Sequence, residues 1–193
     1  FLEGADFFGT PMRAVFTRSV ADPSAAVKLT GKEGKNGMGA FFARDAENNL
    51  IFPGNQGSDF TRLPGERVTS GVLRFRRDLF ETSTLGVLYA DRRATGYSNQ
   101  VGGFDASLRP GDKDSIRFQY LRTATRYPPA IAADFGQPVR PVEGDGWTVS
   151  YSHESKNWLW FTNYEDLDPH FRADSGFIPQ VDVRAGEAGL AMV

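Results

Sequence analysis

The chain has 193 residues, enough for one domain with a substantial core, and contains 21 Gly, 16 Phe and no Cys. The lack of Cys excludes a disulfide framework, a thiolate metal site and a thiol nucleophile. A net charge of −2 with no basic or acidic block gives no basis for broad nucleic-acid affinity. No apolar run approaches the roughly 20 residues of a membrane helix, but barrel strands need only about 9–11, so a membrane barrel stays open.

In chain order, FLEGADFFGTP (1–11) sets three Phe and two acids around Gly4 and Gly9 and reads as an apolar plug or edge segment, not a helix. PMRAVFTRSVA (11–21) alternates Met12, Ala14 and Phe16 against Arg13, Val15 and Thr17, the period of two that marks a strand. Further strands are expected at 25–31 and 37–46 around the Gly-rich turn GKEGKNG. ENNLIFPGNQGSDFTRLPGE (47–66) reads as a long polar loop.

Four runs then follow closely, at 67–79, 84–93, 98–108 and 114–125. Gly71, Leu73 and Phe75 oppose Val72, Arg74 and Arg76; Ile116, Phe118 and Tyr120 oppose Arg117, Gln119 and Leu121. Thr95-Gly96 and Pro110-Gly111-Asp112 supply turn chemistry. A second long loop is expected at 126–145, then strands at 146–155 and 157–165, a mid-length loop at 166–176, and a tenth strand at 177–186 weakened by Pro179. The fold expected is all-β, an antiparallel up-and-down meander over 1–193, with most tight turns at one end and the long loops at the other. Outer-membrane barrels share that asymmetry, so the meander is expected to be part of one. The opening at Phe1 and the finish at Leu190-Ala191-Met192-Val193 suggest a piece of a longer protein.

Alternation alone does not say whether the apolar face meets a core or lipid. Trp147, Tyr151, Trp158, Trp160, Tyr164, Phe41, Phe42, Phe80, Tyr89 and Tyr127 lie near run ends, as an interfacial girdle requires, although aromatics also fill sandwich cores. On the barrel reading the polar face lines the lumen. The candidate residues for lining it and binding a solute are Arg13, Arg74, Arg76, Asp105, Arg117, Gln119, Asn163 and Glu165.

Several pieces carry a family resemblance: FLEGADFF (1–8), FTRSV (16–20), AVKLTGKEG (26–34), LRFRRDLFETSTLGVLYADRR (73–93), NQVGGFDASLR (99–109) and DSGFIPQVDVR (174–184). Together they make the chain resemble the barrel-like domain of unknown function that follows a family-9-like carbohydrate-binding domain in Gram-negative outer-membrane proteins. The resemblance implies a cell-envelope protein with a large antiparallel barrel. It also implies that this chain is the first part of the barrel, with the upstream domain and later strands elsewhere. It transfers no catalytic residue. FTRSV carries one Arg where the family usually shows two, and GFIPQ has Gln where a basic residue is common.

Other constellations point elsewhere with less force. Glu165, Asp166, Asp168, His170 and Asp174 could offer oxygen ligands to a hard cation, but lack the order of a calcium loop. Ser152, His153 and Asp168 could be drawn as a triad, but neighbouring strand positions face opposite ways and no G-x-S-x-G is present. GKEGKNG lacks the Lys-Ser/Thr of a phosphate loop and leads into a strand. The reading is therefore a non-enzymatic outer-membrane barrel segment, without cofactor or metal, for passage, binding or display of polar ligands such as saccharides. Its expected partners are outer-membrane lipid, a polar solute or saccharide, and other envelope proteins. The alternatives are a soluble cell-surface β-sandwich or solenoid module and, last, an envelope hydrolase.

Overall fold

The computed structural model describes residues 5–15 and 22–192, without the side chains of Ala5, Asp6, Pro64 and Gly65. Among the described residues, nine strands form one sheet in sequence order: β1 (Pro23–Glu33), β2 (Asn36–Pro53), β3 (Ser58–Leu79), β4 (Ser83–Ala94), β5 (Tyr97–Leu108), β6 (Asp114–Arg126), β7 (Val142–Glu154), β8 (Trp158–Leu167) and β9 (Val183–Met192). Every neighbouring pair is antiparallel, so the up-and-down meander expected from the alternation is present. A six-residue helix, α1 (Pro129–Asp134), lies between β6 and β7.

One end of the sheet has the short connections 34–35, 80–82, 109–113 and 155–157; the other carries 127–141 and 168–182. The β4–β5 turn belongs to the second end but needs only Thr95 and Gly96, because Gly96 adopts φ +69°. We call these the turn end and the loop end.

Three sequence expectations are corrected. No strand covers residues 11–15, which run through the interior instead; residues 16–21 of that expected strand lie outside the described residues. The expected loop at 47–66 is a two-stranded ribbon, since β2 and β3 stay paired from Glu47–Pro64 out to Pro53–Ser58 beyond a register shift between Asp45 and Glu47. The last strand occupies Val183–Met192 rather than 177–186, and Asp182 just before it has φ +58°.

The sheet has two unlike faces. Its inner face packs Phe41, Val72, Leu88, Val101 and Leu121 against Phe8, Met12 and Ala14 from the N-terminal segment and against Phe171, Ala173 and Val181 from the β8–β9 connection. Residues 1–11 were expected to act as an apolar plug or edge segment and not as a helix. The described part does plug the inner face, and Ala5–Phe8 form one 3-10 turn. Burying a side chain the size of Phe8 or Phe171 contributes about 1.5–3 kcal/mol. Gly39 makes the seat: a Cβ there would lie 2.6 Å from the Phe7 ring and 3.0 Å from that of Phe8. A second cluster (Leu50, Phe52, Val68, Tyr97, Tyr127 and Ala132) caps the loop end, where the ribbon folds onto α1.

The outer face is apolar and exposed. Val27, Leu29, Met38, Phe42, Leu73, Leu85, Val87, Phe104 and Leu190 all point away from the packed interior. Tyr89, Trp147 and Tyr164 stand toward its loop-end border, and Tyr151, Trp158 and Trp160 toward the turn end. Of the aromatics expected at run ends, Phe41 and Tyr127 are instead core residues.

Candidate functional site

Strand pairing sorts the polar inner-face residues into two adjacent rows, close to the turn end on β2 and β3 and closer to the loop end on β8 and β9. One row crosses β2 to β9 as Gly37, Arg76, Gly86, Asp105, Gln119, Thr148, Glu165 and Ala185. The next crosses β3 to β9 as Asp78, Thr84, Ser107, Arg117, Ser150, Asn163 and Glu187. Six of the eight residues singled out from sequence lie on these rows. Arg74 lies one row closer to the loop end and reaches down to them.

Its guanidinium donates to both carboxylate oxygens of Asp105, at 2.5 and 2.9 Å, and both residues are buried. This two-pronged geometry suits arginine and carboxylate. Arg74 thus serves the wall and does not project freely into a lumen.

Gln119 is fully buried and accepts the backbone N–H of Met12 at 2.7 Å, which anchors the N-terminal segment. Among the described residues, Arg74 Nε and Gln119 Nε2 are buried donors left without an acceptor. The Arg76 guanidinium sits 6.0 Å from the centre of the Phe7 ring. Together with Lys32, Asp78 and Gly37 these two residues line a cavity of about 360 Å³. Lys32 and Asp78 form an ion pair across it, 2.5 Å apart.

Toward β7–β9 the plug thins out. Arg117 is exposed, Asn163 and Glu165 are half-buried, and Glu187 is open to solvent. The inner face is thus packed and dry beneath the N-terminal segment and the β8–β9 connection, and polar and more accessible along the two rows toward β7–β9. Arg13 departs from expectation. It belongs to the plug rather than the wall, its side chain is exposed, and its carbonyl accepts the N–H of Phe177 at 2.9 Å.

Sequence reading missed the polar network that fastens the β8–β9 connection to the wall. Arg92 donates to the carbonyl of Asp174 at 2.7 Å and to Asn48 at 3.0 Å. Asn99 donates to Thr125 and to the carbonyl of Arg172, and accepts the N–H of Asp174. Tyr97 and Tyr127 both donate to the Asp174 carboxylate, at 2.6 and 3.2 Å. Burial raises the Asp174 carboxyl above its ordinary value, against the opposing pull of the two tyrosines and Arg92. Only the clustering of Asn and Arg at inward positions of β4 and β5 hinted at it.

The remaining constellations do not assemble. Ser152 faces inward while His153 faces outward against Asp114, at 2.8 Å, and Asp168 lies in the loop-end connection. His170 meets only Asp168, and among the described residues no group of three His, Asp or Glu is placed to hold a metal ion.

The outer face has its own geometry. The row Met38, Phe75, Val87, Phe104, Tyr120, Trp147 begins apolar on β2 and ends charged, at Asp166 and Arg184 on β8 and β9. The row Asn36, Arg77, Leu85, Ala106, Phe118, Val149, Tyr164 begins polar and ends apolar. The apolar band therefore slants across the rows. Its loop-end border falls from Arg44 on β2 through Arg122 on β6 to Arg184 on β9, a slope of about 30° at 3.4 Å per residue and 4.8 Å per strand. From Arg44 to Asn36 the band spans about 27 Å of strand, or roughly 23 Å measured across the slant.

Comparison with protein-family models, with curated proteins and with solved structures found no match.

Proposed function

We propose that this chain is a non-enzymatic wall segment of a Gram-negative outer-membrane β-barrel that binds or displays a polar solute, with saccharide as the leading class. The observation that carries the reading is the slanted outward band. A level lipid layer meeting strands tilted by roughly 35–45° must cut across the pairing rows, and the apolar band of such barrels is about 25 Å tall. A soluble sheet buries its apolar face, whereas here that face is the exposed one. The family resemblance noted above points the same way.

In this reading the ribbon at 46–66 and the connection at 127–141 lie outside the cell. The plug and the loop-end cap disfavour free passage, so binding at the polar inner-face rows is the better account. Arg76, Asp105, Arg117, Gln119, Asn163 and Glu165 are the wall residues available to it, with Thr148 and Ser150 between them. The sheet edges at β1 and β9 would be met by further strands of the same barrel.

The deciding experiment is the dependence of solubility on detergent. The whole barrel protein that contains this chain should stay monodisperse only with detergent or lipid, and should fold into vesicles with this chain's strands protected from protease. A monodisperse, folded protein in plain buffer would overturn the proposal.

A further inference from the structure

Resting on that membrane reading, we infer that the loop-end rim of the outer face is a docking surface for a diphosphorylated glycolipid of the outer leaflet. Three observations converge on it. One outward pairing row runs Arg44, Thr69, Arg93, Ser98 and Arg126 across β2 to β6; it meets the slanted band at Arg44 and stands four residues beyond it at Arg126. The row alternates guanidinium and hydroxyl groups, and Asp91 lies between Arg93 and the band. Arg67 projects from β3 two positions farther toward the loop end.

The arginines are also available. Arg44, Arg67, Arg93 and Arg126 are all exposed. Arg93 is engaged by Asp91 at 2.9 Å, while Arg44, Arg67 and Arg126 have no ion-pair partner among the described residues. At the turn end, by contrast, the outward guanidinium is Arg77, which bonds Asn36. The two borders of the band are thus chemically unequal.

Below the arginines on the same strands lies an apolar groove of about 670 Å³, whose outward walls are Leu29, Met38, Ala40, Leu73, Val87 and Tyr89. A lipid fits this pairing of features: phosphates on the arginines, acyl chains in the groove. Arg44 on β2 and Arg93 on β4 stand about 10 Å apart, with Arg67 on β3 between them, too far for one phosphate to bridge and suited to a headgroup that carries two. Arginine binds phosphate through paired N–H donors, so each contact is geometrically selective as well as charged.

The test uses the whole barrel protein that contains this chain, refolded into phosphatidylcholine vesicles, then titrated with diphosphoryl lipid A, its monophosphoryl form and phosphatidylglycerol, with melting temperature and lipid retention in native mass spectrometry as readouts. The diphosphoryl lipid should bind best. The combined Arg44→Gln, Arg67→Gln and Arg93→Gln variant should bind it about tenfold or more weakly, one charge-assisted contact being worth that much. Arg77→Gln should leave binding unchanged and serves as the folding control. Equal response to all three lipids, or undiminished binding by the triple variant, would overturn the inference while leaving the barrel reading intact. Failure to enter any bilayer would remove both.

Discussion

Gly86 lies beneath the guanidinium of Arg74: a Cβ on Gly86 would stand 2.6 Å from both terminal nitrogens. The glycine is thus part of the Arg74–Asp105 ion pair, because it opens the floor over which the arginine crosses to β5. Gly86→Ala should displace Arg74 and act like partial loss of the pair. Arg74→Met alone leaves Asp105 buried without its counter-ion and should cost about 3–5 kcal/mol. Arg74→Met with Asp105→Leu should recover most of that. Denaturant titration of the four proteins in one detergent reads the coupling; a double variant no more stable than the single would contradict it.

The N-terminal segment is held to the wall by one buried polar contact and by shape. Gln119→Leu removes the acceptor of the Met12 N–H and should cost about 1–3 kcal/mol. Gly39→Val fills the space occupied by the Phe7 and Phe8 rings. Both variants should expose residues 5–15 to limited proteolysis while β3–β6 stay protected. Unchanged protection of the segment would mean that the seat is held by something else.

The Asp174 carboxyl gives a pH dependence with a definite sign. Its folded value lies above the ordinary 3.8, chiefly through burial. The folded state therefore binds the proton more tightly than the unfolded one, and the associated stability is fully present below about pH 3.8 and lost as pH rises through the folded value. Asp174→Asn, which cannot ionise, should gain stability relative to the parent across that window. Paired melting curves from pH 4 to pH 8 measure it; a difference that stays flat or runs the other way refutes the assignment.

Leu73 and Val87 occupy the middle of the outward band, both about half exposed. Arginine at either position should oppose membrane folding by about 2–4 kcal/mol, the depth-dependent cost of a cation near the midplane. Arginine at Ser150 or Thr148, on the inward rows, should cost little. If Leu73→Arg folds into vesicles as well as the parent does, the outward face is not in lipid.

The central meander was legible because each of its runs has one face apolar throughout, so the period of two survives from turn to turn. It also fixed which residues share a face, and that put Arg76, Asp105, Arg117, Gln119, Asn163 and Glu165 together before any register was known. Arg13 misled for a physical reason. An extended chain threaded against a wall buries alternate side chains, Met12 and Ala14, just as a strand does, without joining the ladder.

The ribbon was hidden by the register shift between Asp45 and Glu47, which moves the inward set to Asn48, Leu50 and Phe52 and breaks the alternation. β9 was hidden by composition: VRAGEAGLAM has Ala185, Gly189 and Ala191 among its inward positions and few β-branched residues, so it lacks a strand's usual mark. The network around Asp174 joins residues of β2, β4, β5 and the last connection, and contacts of that separation leave no local pattern.

With nine antiparallel strands taken in order, β1 and β9 point in the same direction along the sheet. Two such rims cannot zip to each other with antiparallel bonding. A closed antiparallel cylinder containing this wall must therefore set an odd number of additional strands between them. A ring made only of identical, co-oriented copies of this sheet would need a parallel seam at every joint.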